Sequence, residues 1–156
     1  MSHETFLRKA ISLAEEHSAE GRSGPFGAIV VLNGEIVGEG WNQVVDRSDP
    51  TAHAEILAIR DACERLGRHS LDHSVIYCST EPCPMCLSAI YWARIPKVFF
   101  ACSRYDADVA GFDDSLIYTE MSRGWEERIL DGTQMLREEG FRVLERWMEN
   151  PEKVEY

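Results

Sequence analysis

Apolar residues recur at helical spacing near the start of the chain, where Phe6, Ala10, Leu13 and Ala14 share one stripe and Arg8, Glu15 and Glu16 fall elsewhere. This predicts an amphipathic helix from about His3 to His17. The pattern then changes in GPFGAIVVLNGEIVGEGWN, which reads as two strands, Phe26 to Leu32 and Glu35 to Trp41. Between them stands Asn33-Gly34, the dipeptide best suited to the positive φ angles of a tight hairpin turn. Beyond the polar loop RSDPT, helical spacing returns through Ile56, Ile59, Cys63 and Leu66 and stops at Gly67. SVIYCS reads as a short buried strand, Cys86 to Ala93 as a third helix, and KVFFACS, after the break at Pro96, as another strand. Toward the end, GFDDS has loop character, TQML offers a fifth strand, and Phe141, Leu144 and Met148 mark a last helix.

A strand, a helix and a strand in succession imply parallel pairing through a right-handed crossover, while the hairpin contributes an antiparallel pair. The expected architecture is therefore α/β: a three-layer α/β/α sandwich with a mixed, mostly five-stranded sheet. Its 156 residues, 44% of them hydrophobic, suffice for the core of one domain spanning the whole chain. No apolar run reaches the roughly 18 residues a membrane span requires, and the acidic opening is unlike a targeting leader, so a cytoplasmic protein is expected. A net charge of −11 disfavours nucleic acid as a partner. The five cysteines, an odd number, suit a reducing compartment in which they pack or bind metal.

Candidate chemistry gathers at two predicted helix starts. His53 opens the second helix, in PTAHAEILAI, and Cys83 and Cys86 open the third, in EPCPMC. With Cys83 as the cap and Pro84 as the first helical residue, the Cys86 N–H is expected to point back at the Cys83 sulfur. The positive end of a helix dipole favours thiolate there, and hence a metal. One imidazole and two thiolates are the three ligands of a catalytic zinc whose fourth position is kept for water. Glu55, two residues beyond His53, is placed to take a proton from that water and pass it on. Taken alone, Cys83-x-x-Cys86 also fits a thiol oxidoreductase or half of a structural zinc clamp in a binding module. Cys63, Cys78 and Cys102 fall in buried positions of predicted elements and are assigned to packing.

HAE followed by PCPMC is the combination that marks zinc-dependent base deaminases, and the chain resembles the cytidine deaminase-fold superfamily. Within it, SGPFGAIVV, DPTAHAEILAIR, EPCPMCLSAIYWAR, GFDDS and the final tyrosine resemble the bacterial guanine-deaminating branch. The resemblance implies one Zn2+ per subunit on His53, Cys83 and Cys86, with water as fourth ligand and Glu55 as proton shuttle. It further implies a small purine substrate stacked on Phe26, bonded to Asn42, bordered by Ala54 and Trp92, and met at its exocyclic amine by Asp114. Tyr156 would close the site from the partner of a homodimer, through an exchanged C-terminal segment. Another free base or amino-heterocycle, or an adenosine in transfer RNA, is the alternative substrate, and either Asp113 or Asp114 the second proton donor.

Overall fold

In the computed structural model, which describes residues 2–156, the predicted hairpin forms from β1 (Gly27–Leu32) and β2 (Glu35–Trp41). Asn33 and Gly34 take φ angles of 53° and 84°, as the tight turn requires. β1 pairs antiparallel with β2 on one side and with β3 (Ser74–Thr80) on the other, and β3 pairs parallel with β4 (Lys97–Cys102). The sheet order is β2-β1-β3-β4. Because β2 and β3 both oppose β1, they run in the same direction. The helices that follow them, α3 (Ala54–Leu66) and α4 (Pro84–Trp92), therefore begin at one edge of the sheet.

Alternating residues of the strands feed two cores. Ala28, Val30, Ile76 and Cys78 face Ala54, Ala58 and Ala62 of α3 and Ile90 of α4. Ile29, Val31 and Tyr77 face Phe6, Ala10 and Leu13 of α1 (His3–Ser18). Helices thus cover both faces, giving three layers as expected. On the α3 side the approach is unusually close. A Cβ on Gly38 would lie 2.8 Å from the Ala62 Cβ, and one on Gly40 would lie 2.5 Å from the Ala58 nitrogen and overlap the Ala54 carbonyl oxygen. Two glycines one pleat apart let the small-residue face of α3 rest directly on the β2 backbone.

Several expectations require correction. The sheet has four strands, not five. TQML, residues 133–136, stays irregular, and Leu136 takes φ 52° as the N-cap of α7 (Arg137–Glu149), a left-handed conformation that no strand continues. Cys102 is exposed on the outer strand β4, whereas Cys78 is buried and Cys63 half-buried. Three short helices were not predicted, α2 (Val44–Arg47), α5 (Arg104–Val109) and α6 (Ser115–Met121). The second has a reciprocal cap in which the Asp106 N–H donates to the Ser103 hydroxyl and the Ser103 N–H donates to the Asp106 carboxylate.

The chain divides into two compact units, the first ending at Ser115 and the second running Leu116–Tyr156. The second contains the remainder of α6 (Ser115–Met121), a single 3-10 turn and α7. Glu120 organises it, accepting from Arg123 Nη1 at 2.8 Å and from the Ile129 N–H at 2.7 Å. No residue of this unit is buried. Among the described residues no helix is long and apolar enough to cross a membrane.

Candidate metal centre and active site

The shared edge set by β2 and β3 brings the starts of α3 and α4 together. His53 is the N-cap of α3 in extended conformation, and Cys83 is the N-cap of α4 with Pro84 behind it. The N-cap backbone and the prolyl φ are those that launch a helix, so the liganding side chains leave from fixed points. His53 Nδ1 lies 3.6 Å from Cys83 Sγ and 3.5 Å from Cys86 Sγ. A tetrahedral zinc bound at its usual distances sets imidazole nitrogen and thiolate sulfur roughly 3.6 Å apart, so this donor set fits the ion. Among the described residues it is the one group of three His, Cys, Asp or Glu side chains close enough to hold a metal.

Electrostatics favour the same conclusion. The hydrogen bond from the Cys86 thiol, followed by that with His53, draws the Cys83 thiol down to about 4, while the same shared proton and burial push Cys86 up. Cys83 is therefore held as a thiolate. As expected, the Cys86 N–H adds to this pull, without closing a full capping hydrogen bond. The bond to Cys83 also raises His53.

Glu55, in the first turn of α3, is 8% exposed. Its Oε2 lies 3.4 Å from Cys86 Sγ, beside the donor triangle and outside it. Burial raises its carboxyl above the ordinary carboxylate range. A carboxyl beside the donor triangle is placed both to take and to return a proton.

The remaining predicted residues are distributed unevenly. Asn42 is buried, its Oδ1 accepts from the Val44 N–H at 3.3 Å, and its own N–H donates to the Phe26 carbonyl at 3.1 Å. Phe26 is half-buried, and Ala54 is buried next to His53. Asp114 is half-buried and raised by burial and by the charge of Cys83, whereas the exposed Asp113 accepts from the Ser115 N–H at 2.8 Å. Trp92, at the opposite end of α4, is 69% exposed, and Tyr156, in the second unit, is 75% exposed.

Sequence reasoning missed three supports of this arrangement. Gly38 and Gly40 seat the helix that carries His53 and Glu55, and the alternate-glycine pattern GEG on a strand was their signal. The Ser79 hydroxyl accepts from the Gly27 N–H at 3.0 Å, joining the ends of β3 and β1 beneath the site, and nothing in the sequence marks it. Phe112 meets Phe26 edge-on, their ring centres 4.8 Å apart and their planes at 84°. The aromatic residue within GFDDS was its only trace.

Residues 1–102 match the family described as the cytidine and deoxycytidylate deaminase zinc-binding region. The chain belongs to this zinc-binding deaminase family. Its likeness to individual members is graded. It is 49% identical to guanine deaminase of Bacillus subtilis over 156 residues, 100% of both chains. It superposes on the X-ray structure of that organism's guanine deaminase with a TM-score of 0.96, covering 100% of this chain and 99% of the other. Guanine deaminase from Nitrosomonas europaea is similar at 30% identity and a TM-score of 0.68, over 73% of this chain and 66% of that one. The tRNA-specific adenosine deaminase of Haemophilus influenzae is 40% identical over 117 residues, 71% of this chain and 67% of the relative.

Proposed function

We propose that this protein is a zinc-dependent guanine deaminase, converting guanine and water into xanthine and ammonia in purine breakdown or salvage. One observation carries the choice of substrate: the likeness to a guanine deaminase runs through all 156 residues, whereas that to a tRNA adenosine deaminase spans 117. A net charge of −11 also disfavours a surface that must track RNA phosphates. Five unpaired cysteines suit a reducing cytoplasm.

Zinc held by His53, Cys83 and Cys86 would supply Lewis acidity, bringing water close to deprotonation at neutral pH. The chain's own groups do the rest. Phe26 offers an aromatic face to the flat base, the Asn42 amide reads its polar edge, and Ala54, at the start of α3, borders it. As water adds to C2 of guanine, Glu55 takes one of its protons and returns it to a ring nitrogen. Asp114 relays the second, from the new hydroxyl to the amino group. The C2–N bond then breaks with its electron pair leaving on ammonia, and C2 becomes a carbonyl. Asp113 is committed to the Ser115 N–H, which favours Asp114 for this role. Backbone N–H groups at the starts of α3 and α4 stabilise negative charge developing between them.

We assign Trp92 and Tyr156 to closure of the site in a homodimer whose C-terminal segment is exchanged. Support comes from the exposure of both aromatics and of the apolar residues of α7, which ask for a covering surface.

The decisive test is Glu55→Gln. Ammonia release from guanine should fall at least about a hundredfold, the scale of general acid-base catalysis, while metal analysis still finds stoichiometric zinc. Near-normal turnover in that variant would remove Glu55 from the mechanism, and no turnover of guanine by the unaltered protein would remove the substrate.

A further inference from the structure

Two residues with no assigned part in the reaction converge on Phe26. Gly24 approaches from the chain itself: its carbonyl accepts the Phe26 N–H at 2.8 Å. A Cβ placed on it would stand 3.1 and 3.2 Å from two carbons of the Phe26 ring and 3.3 Å from the Asn42 amide carbon. These separations are tighter than ordinary van der Waals contact. An added methyl would be felt by the ring and the amide together, and the backbones of these two residues are already joined by the hydrogen bond from the Asn42 main-chain N–H to the Phe26 carbonyl.

Phe112 supplies the other constraint. Its ring packs perpendicular to that of Phe26, yet it remains 44% exposed, an unusual place for an aromatic side chain that serves only a core. Its backbone is not free to drift. The Phe112 N–H donates to the Ala107 carbonyl at 2.9 Å, Gly111 takes φ 94° in the turn before it, and Asp113 is tied to Ser115 after it. The loop that presents Asp114 therefore also presents a fixed ring against Phe26.

We infer that Gly24 and Phe112 are positioning residues that set the plane of Phe26 and, through it, the affinity for the base. Gly24 leaves the ring and the Asn42 amide room to lie where a flat substrate meets both. Phe112 keeps the ring from rotating away. The inference rests on the reading of Phe26 as the stacking surface for guanine. Since neither residue offers a metal ligand or a proton carrier, the effect belongs to binding and not to the chemical step.

The test compares Gly24→Ala, Phe112→Leu and Phe112→Tyr with the unaltered protein, using guanine as substrate. Zinc content and thermal midpoint serve as controls. Gly24→Ala and Phe112→Leu should raise KM about threefold to tenfold, the scale of one aromatic pair, with kcat held within about twofold. Phe112→Tyr, which keeps the ring, should keep the KM. If Gly24→Ala does not fold, the two Phe112 variants decide the matter. Unchanged KM in Phe112→Leu, a fall in kcat as large as the rise in KM, or equal damage from Phe112→Tyr overturns the inference while leaving guanine as the substrate. Absence of guanine turnover in the unaltered protein overturns the functional reading itself, and this inference with it.

Discussion

Helices α3 and α7 are each 13 residues long, and the one with the smaller apolar side chains is the one that is buried. α3 sinks Ala54, Leu57, Ala58 and Ala62 into the core. α7 displays Phe141, Leu144, Trp147 and Met148, none of them smaller than leucine, and buries none. Burial is therefore a property of two matched surfaces and not of one stripe. Alanines on α3 meet the bare backbone at Gly38 and Gly40, so the helix axis comes close to the strand and few atoms are needed to exclude water. Fixing α3 this tightly also fixes His53 and Glu55 at its first turn. α7, with no such seat in its own unit, has a face suited to assembly, in keeping with the proposed exchange between subunits.

Removing metal should disturb the α3 side of this contrast most. If zinc ties the starts of α3 and α4 together, chelation should lower the stability of the folded protein by about 4 kcal/mol or more, the linkage expected when metal is present about a thousandfold above its dissociation constant. Scanning calorimetry with and without chelator would read this, and an unchanged midpoint would mean that the two helix starts hold their places unaided. Next in size is Gly40→Val, which forces a branched side chain into the α3 backbone and should cost about 3 kcal/mol, near the upper end for overpacking. Denaturant midpoints would measure it. A loss below about 0.5 kcal/mol, the range of ordinary surface changes, would show that α3 can move away from β2 freely.

The smallest effect on the first unit should come from α7. Replacing Leu144 and Trp147 together by Ser should shift the unfolding of residues 1–115 by less than about 0.5 kcal/mol, as for exposed positions. The same double change should weaken the homodimer at least about tenfold, since buried aromatics dominate interface energies. Sedimentation at several concentrations would resolve the two effects. A dimer of undiminished strength would take α7 out of the proposed interface.

Most of the first unit was legible in the chain. The hairpin, its Asn33-Gly34 turn, α1, α3 and the parallel β3-α4-β4 segment follow from local periodicity and turn chemistry, which need only nearby residues. The metal ligands were legible for a similar reason, since HAE and PCPMC each place their residues at a helix start. Failures cluster where pairing is non-local. TQML has the composition of a strand, yet a strand requires a partner, and Leu136 instead turns into a helix. Cys102 alternates like a buried residue, but the outermost strand leaves it exposed. Trp92, read as lining the substrate pocket, stands about 12 Å along α4 from its start at 1.5 Å per residue, and its place at the site belongs to the proposed homodimer.

By itself the sequence determined which groups are the candidates for chemistry and on which elements they ride, because donor chemistry and helix starts are local properties of side chains and backbone. The tertiary structure decided that the two helix starts share one edge of the sheet, since the direction of β2 relative to β3 depends on both strands opposing β1. It also decided that Phe112 meets Phe26 and that α3 rests on two glycines. Contacts of this kind join residues far apart along the chain, and they exist only once the cost in entropy of bringing them together has been offset by packing the whole core.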